Sequence, residues 1–390
     1  MEKIIPFRIS KIFKEFFQSQ QASGYLLILA TALSLAISNS PGGIAFISFW
    51  ETKIGIQTSH LHLEHSMVNW INDGLMTLFF LLVGIEIKRE LVSGELNQFR
   101  KAILPVIGAI GGMAVPALLF YLFNYQSPKT IHGIGIPTAT DIAFAIAILG
   151  LLGDRVPVSV KIFLTALAII DDLGAIVVIA IFYGTGIHWN WIALAGLICV
   201  ILLFLNHKNY TYRWLYIMLG LLLWFCMLHS GVHATIAGVI FAFLLPRESE
   251  MEGKMSDYFE HLLHFPVSYF ILPLFAMANT SLIINHEILS QLTNPLCMGI
   301  FVGLFIGKPL GIFGFCWLSI KLKITQLGSD VKFVHLLAAG ILGGIGFTMS
   351  IFISNLAFYD ILLVQLSKIT ILVTSIVAAI VGYLTFRISK

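Results

Sequence analysis

Asp171 and Asp172 stand side by side in the run Leu164-Thr165-Ala166-Leu167-Ala168-Ile169-Ile170-Asp171-Asp172-Leu173-Gly174-Ala175-Ile176-Val177-Val178-Ile179, which is otherwise suited to lipid. Each aspartate at the centre of a membrane helix costs ~3 kcal/mol. The thirteen Val, Ile, Leu and Phe residues of 162–182 return ~0.45 kcal/mol each, nearly the same sum. Such a helix stays in a membrane only with its carboxylates protonated, paired or facing water, so the pair is a functional candidate. The chemistry open to it is proton binding, ligation of a hard cation by oxygen, or acid–base work by one of the two in an aspartyl dyad with Asp141. Neighbours on a helix point about 100° apart, so one carboxylate can meet a protein partner while the other faces a pathway. At ~6 Å and an effective dielectric of 20 the two anions repel by ~3 kcal/mol, which couples their proton losses.

Other titratable groups fall into place around the pair. Lys308, in Gly307-Lys308-Pro309-Leu310-Gly311, lies deep in an apolar run and needs an anion, with Asp171 or Asp172 as the natural partner. Thr140 and Asp141 follow Pro137 and offer a hydroxyl and a carboxylate beside exposed peptide ends, or a plain helix cap. Asp73 lies nearer the end of its run. Glu86, Lys88, Arg89 and Glu90 close that same run, and Glu260, His261 and His264 form a second titratable cluster. Histidine changes charge near pH 6.5, so these residues suit either a pH switch or a solvated face. His60, His62 and His65 could hold zinc or be ordinary loop residues, and His233 reads as a satisfied core residue rather than a ligand.

The elements that carry these groups must be membrane helices. Of 390 residues 58% are hydrophobic and only 11% charged, too few to solvate a surface. Apolar runs of about 17–25 residues exclude barrel strands. They lie at 24–38, 67–87, 102–123, 131–150, 157–182, 190–206, 213–228, 232–246, 266–286, 295–320, 334–356 and 361–387, which predicts twelve spans in one transporter domain covering 1–390. Residues 1–20 read as an amphipathic surface helix, with Ile5, Ile9, Phe13, Phe16 and Phe17 on one face. The run 24–38 lacks a convincing cleavage site and is read as an uncleaved span. The alternation Lys53-Ile54-Gly55-Ile56-Gln57 predicts a strand or hairpin within the loop 43–66. Of the 23 Lys and Arg residues, 19 fall on the side of the N-terminus, and the opposite loops hold only Lys53 and Lys129. Both termini are therefore expected in the cytoplasm. No basic, aromatic-interleaved patch suggests nucleic acid. Cys199, Cys226, Cys297 and Cys316 sit in or beside apolar runs and read as free thiols.

Two spans are damaged: Gly133-Ile134-Gly135-Ile136-Pro137-Thr138-Ala139-Thr140-Asp141 and Gly340-Ile341-Leu342-Gly343-Gly344-Ile345-Gly346-Phe347-Thr348. Proline and clustered glycine break helices, and the freed backbone groups must face protein or water. Interrupted spans in corresponding places point to inverted repeats with a site near the midplane. On hydropathy alone 102–182 matches 295–387, with the broken span in the middle of each triplet.

With these stretches assembled, the chain resembles the bacterial NhaA sodium/proton antiporter family. The resembling motifs are Trp70-Ile71-Asn72-Asp73-Gly74, Pro137-Thr138-Ala139-Thr140-Asp141, Ile170-Asp171-Asp172-Leu173-Gly174, Ser230-Gly231-Val232-His233-Ala234-Thr235, Gly307-Lys308-Pro309-Leu310-Gly311 and Gly344-Ile345-Gly346-Phe347-Thr348-Met349-Ser350. The resemblance implies two interrupted helices crossing near the midplane and export of Na+ or Li+ against entering H+, activated at alkaline pH, for pH and sodium homeostasis. It also implies a homodimer, joined partly through the outside hairpin, in a bacterial inner membrane. By motif, Asp172 is implied as the main Na+ ligand, Asp171 as its proton-handling neighbour and Lys308 as their partner. Thr140 and Asp141 are implied as broken-helix contributors, and Glu86, Glu90, Glu260, His261 and His264 as pH-response positions. His264-Phe265-Pro266 departs from the His-Pro-Trp of a familiar member and leaves the titratable residues in place.

The expectation is thus a transporter that is not an enzyme and needs no cofactor, using two proton-releasing groups per monovalent cation. An intramembrane aspartyl protease built on Asp141 with Asp171 or Asp172 is the rival, but its Gly-x-Gly-Asp signature is missing. A passive cation channel has no need of a titrating pair.

Overall fold

The computed structural model describes residues 20–56, 64–92, 99–184, 186–208, 210, 212–246, 255–328 and 330–389. The expected amphipathic helix lies outside the described residues, as do His60 and His62. The fold is almost entirely helical. In chain order the helices of nine residues or more are α1 (Gln20–Ser38), α2 (Gly43–Glu51), α3 (Met67–Val92), α4 (Phe99–Asn124), α5 (Ile142–Leu152), α6 (Val158–Phe182), α7 (Trp189–His207), α8 (Arg213–Ser230), α9 (Ile236–Leu244), α10 (Met255–Asn279), α11 (Pro295–Lys321), α12 (Phe333–Gly343), α13 (Phe347–Ala357) and α14 (Ile361–Ile388). Among the described residues nine helical segments are long and apolar enough to cross a membrane, or eleven if each of two bent pairs counts as one span. The protein is a polytopic membrane protein.

The count departs from twelve at one place. The apolar run 232–246 holds only the nine-residue α9, because the chain leaves α8 at Gly231 (φ +82°) and stays irregular up to Thr235. Glycine takes that left-handed backbone without strain. Helix α10 is also displaced from the run 266–286: it starts at Met255 and ends at Asn279, so a segment read as loop is helix and the last apolar residues are not.

A 115° bend separates α1 from α2, and beyond α2 the strands Lys53–Ile54 and His65–Ser66 pair antiparallel, with Lys53 opposite Ser66 and Ile54 opposite His65. Helices α4 and α11 touch backbone to backbone. A Cβ on Gly111 would lie 2.3 Å from the Gly311 carbonyl, and one on Gly311 would lie 2.1 Å from that of Gly111. In lipid, where apolar side chains gain little by leaving the solvent, such small-residue contacts hold helices together. The two damaged spans are broken as expected. Before α5 the chain makes a tight 3₁₀ stretch, Ile131–Thr138, and α12 and α13 meet at a 43° bend.

Candidate functional site

The two breaks complete one another. Asp141 caps α5, its Oδ1 accepting from Phe144 N–H at 2.9 Å. Its Oδ2 accepts the hydroxyl of Thr348 at 2.5 Å and the Thr348 N–H at 3.0 Å, both from the first turn of α13. The Asp141 N–H donates to the Ile345 carbonyl at 2.7 Å, and the Ser350 hydroxyl donates to Ile136 O at 2.7 Å. Backbone groups freed by proline and glycine in one span are thus satisfied by the other, as breaks at membrane depth require. Gly344 is needed for packing here: a Cβ would come within 2.5 Å of the Leu304 carbonyl on α11.

Helix α6 brings Asp171 and Asp172 to this crossing. Asp171 and Lys308 form a fully buried ion pair, with Lys308 Nζ donating to Asp171 Oδ2. The Thr140 hydroxyl lies 2.7 Å from that same carboxylate oxygen and 2.8 Å from Gly343 O, while accepting from Lys308 Nζ at 2.9 Å. Its single proton serves one of the two oxygens at a time. Asp172, 1% exposed, is offset by about 100° around α6 and lines a cavity that Asp171 does not. Its Oδ1 is buried and accepts no hydrogen bond among the described residues. An orphaned carboxylate oxygen is a place for a proton or a hard cation.

A cavity of about 470 Å³ reaches Asp172. Asp172, Asp141 and Thr348 line it together with Glu86, Glu90, Arg89 and His264, while neither Asp171 nor Lys308 does. Helix α3 places Glu86 and Glu90 a turn apart. Glu260 is tied to Arg89, which also lies 3.8 Å from Glu90. His261 is exposed and stands away from the cavity. Lys88, grouped by sequence with a solvated cluster, is buried. Its ammonium donates to the carbonyls of Ala242 (3.2 Å), Phe243 (3.0 Å) and Leu245 (2.5 Å) at the C-terminal end of α9. The unpaired carbonyls of a helix end favour a cation there.

The weaker candidates lie elsewhere. Asp73 and His233 approach to 3.5 Å beside a second cavity of about 290 Å³, also lined by Asn72 and Asn355. On α3 Asp73 stands thirteen residues from Glu86, about 20 Å at helical rise, so the cavities lie toward opposite ends of that helix. Buried Phe80 and Phe352, ring centroids 5.3 Å apart, stand between those ends.

A sequence model of Na+/H+ antiporter 1 matches residues 14–386. This chain belongs to that family. Relatives named Na+/H+ antiporter NhaA include one from Cytophaga hutchinsonii, 47% identical over 98% of this chain and 96% of its own. One from Flavobacterium psychrophilum is 48% identical over 97% of both chains. A third, from Citrobacter koseri, is 47% identical over 95% of this chain and 97% of its own. Membership in the antiporter family leaves the protease and channel readings without support.

Thr348 and the Gly343 carbonyl were not singled out by sequence as partners of Asp141 and Thr140. The glycine cluster marked their position, but nothing local reveals a contact across 207 residues.

Proposed function

We propose that this chain exchanges Na+, or Li+, for H+ by alternating access, with Asp172 as the carboxylate that the two ions contest. The observation that carries this is that Asp172, whose buried Oδ1 has no hydrogen-bond partner among the described residues, lines the first cavity, beside an Asp171 already neutralised by Lys308. A monovalent cation entering there finds carboxylate, hydroxyl and carbonyl oxygens, the donor set a hard cation takes. Three buried carboxylates, Asp141, Asp171 and Asp172, face one ammonium at the crossing. The two surplus negative charges must be offset by protons or by a cation. Loss of two protons for each Na+ bound makes the exchange electrogenic, so membrane potential helps expel Na+. The Asp171–Lys308 pair opens as Na+ arrives, freeing Asp171 to ligate. The protein sits in a bacterial inner membrane with both termini and the Asp172 cavity on the cytoplasmic side, works as a homodimer, and is activated at alkaline pH through Glu86, Glu90, Glu260, His261 and His264. The segments 102–182 and 295–387 are inverted repeats.

The test is Na+-dependent collapse of an imposed pH gradient in proteoliposomes between pH 6.5 and 8.5. Collapse that needs Na+ or Li+ and accelerates toward alkaline pH supports the reading. A gradient indifferent to either ion overturns it.

A further inference from the structure

Lys368 is a second intramembrane lysine that the exchange site does not use. It lies on α14, 8% exposed, and among the described residues no carboxylate comes within 4 Å of it. Its ammonium is held instead by an amide, Asn279 Oδ1, at 3.5 Å. Asn279, the last residue of α10, is the hub of a small node. Its Oδ1 also accepts from Asn355 at 2.7 Å and Asn72 at 3.4 Å, and its Nδ2 donates to Asn72 Oδ1 at 2.8 Å and Phe275 O at 3.0 Å. The node joins α3, α10, α13 and α14. Two of its members, Asn72 and Asn355, line the second cavity, the one that does not reach Asp172. Asn355 is two turns along α13 from Thr348, which holds Asp141, so the node and the exchange site share a helix.

A buried ammonium normally comes with an anion, as Lys308 does with Asp171. An amide oxygen satisfies one N–H without cancelling the charge, so the field of Lys368 reaches the groups beside it. We propose that Lys368, seated on Asn279 behind two residues that line the second cavity, is the electrostatic gate of that cavity: a positive charge whose field a cation meets between the cavity and Asp172. It raises the energy of a cation held on that side, which opposes re-entry of Na+ and shortens its stay in the cavity, and it leaves the opposite approach untouched. Lys368 is a positioning charge that acts through its field. Asp73, Asn72 and Asn355 supply the oxygens on the cavity side, so removing the ammonium leaves a wall that holds a cation longer.

This proposal rests on the antiport reading and is tested by sidedness, which a purely structural role would not produce. Wild type and Lys368→Gln are reconstituted in uniform orientation, and apparent Na+ affinity is measured with the ion supplied on each side in turn. Lys368→Gln should bind Na+ about tenfold more tightly from the second-cavity side, with matching inhibition of export by Na+ there, and within twofold of wild type from the Asp172 side. Lys368→Arg should behave as wild type. Asn279→Asp, which sets an anion against the lysine, should shift affinity in the same sided direction and decides the question if Lys368→Gln does not insert. Equal shifts on both sides, or no shift in a folded variant, would overturn the gate while leaving the antiporter intact. A wild-type protein that exchanges nothing would overturn the antiport reading and the gate with it.

Discussion

Thr348 and Asp141 lie 207 residues apart in the chain, yet the hydroxyl and N–H of the first both meet Oδ2 of the second inside the membrane. That contact ties the two broken spans together. A movement of either break is transmitted to the carboxylate, and a change of charge on the carboxylate is felt by both breaks.

Thr348→Val keeps the N–H and the shape but removes the hydroxyl. A hydrogen bond to a charged group is worth about 1.5–3 kcal/mol, so the variant should melt at lower temperature in detergent and bind Na+ several-fold more weakly. Thr348→Ser should restore both. Unchanged melting and affinity in Thr348→Val would mean that the N–H alone holds Asp141.

Lys308 and Asp171 should be energetically coupled. Removing one partner of a buried pair costs about 3–5 kcal/mol, because the survivor is left uncompensated. Lys308→Ala should therefore lower thermal stability, and Asp171→Asn combined with Lys308→Gln should recover part of the loss. Additive destabilisation in this cycle would show that the two do not act as a pair, with the Thr140 hydroxyl then the main support of the lysine.

Competition fixes the sign of the pH dependence. On the proposed mechanism protons and Na+ contest the same carboxylates, so apparent Na+ affinity should weaken as pH falls, and saturating Na+ should recover much of the rate. A maximal rate that falls with pH at constant apparent affinity would assign the dependence to the Glu86, Glu90, Glu260, His261 and His264 group instead.

Orientation has its own check. With cysteines introduced singly, exposed positions within 87–101 and 246–265 should react with a membrane-impermeant thiol reagent from the cytoplasm, and position 53 from outside. Labelling of position 53 from the cytoplasm would reverse the direction of transport.

Much of this was legible because membrane chemistry leaves coarse marks. Asp171, Asp172 and Lys308 stand out because charge in an apolar run needs a reason, and Pro137 with the glycines of 340–346 announces both breaks. The fate of 232–246 was not legible. Its composition is that of a span, and only Gly231 hints that the chain unwinds before Ile236. Hydropathy also records depth but not neighbours. Lys88 at the mouth of α3 looked solvated until α9 brought three carbonyls to it, and the amide node around Lys368 joins four helices that no local pattern connects. The carboxylates could be found one by one, but which of them Lys308 neutralises depends on how α6 and α11 are rotated.

The central claim is that Asp172 is the group Na+ and H+ contest, and Asp172→Asn tests it most directly. The asparagine keeps the size and removes the charge, so the protein should insert and melt no lower than wild type, since a buried unpaired carboxylate is costly. Na+-driven proton movement in proteoliposomes should be abolished at every pH from 6.5 to 8.5. Near-normal exchange by a well-folded Asp172→Asn protein would contradict the mechanism.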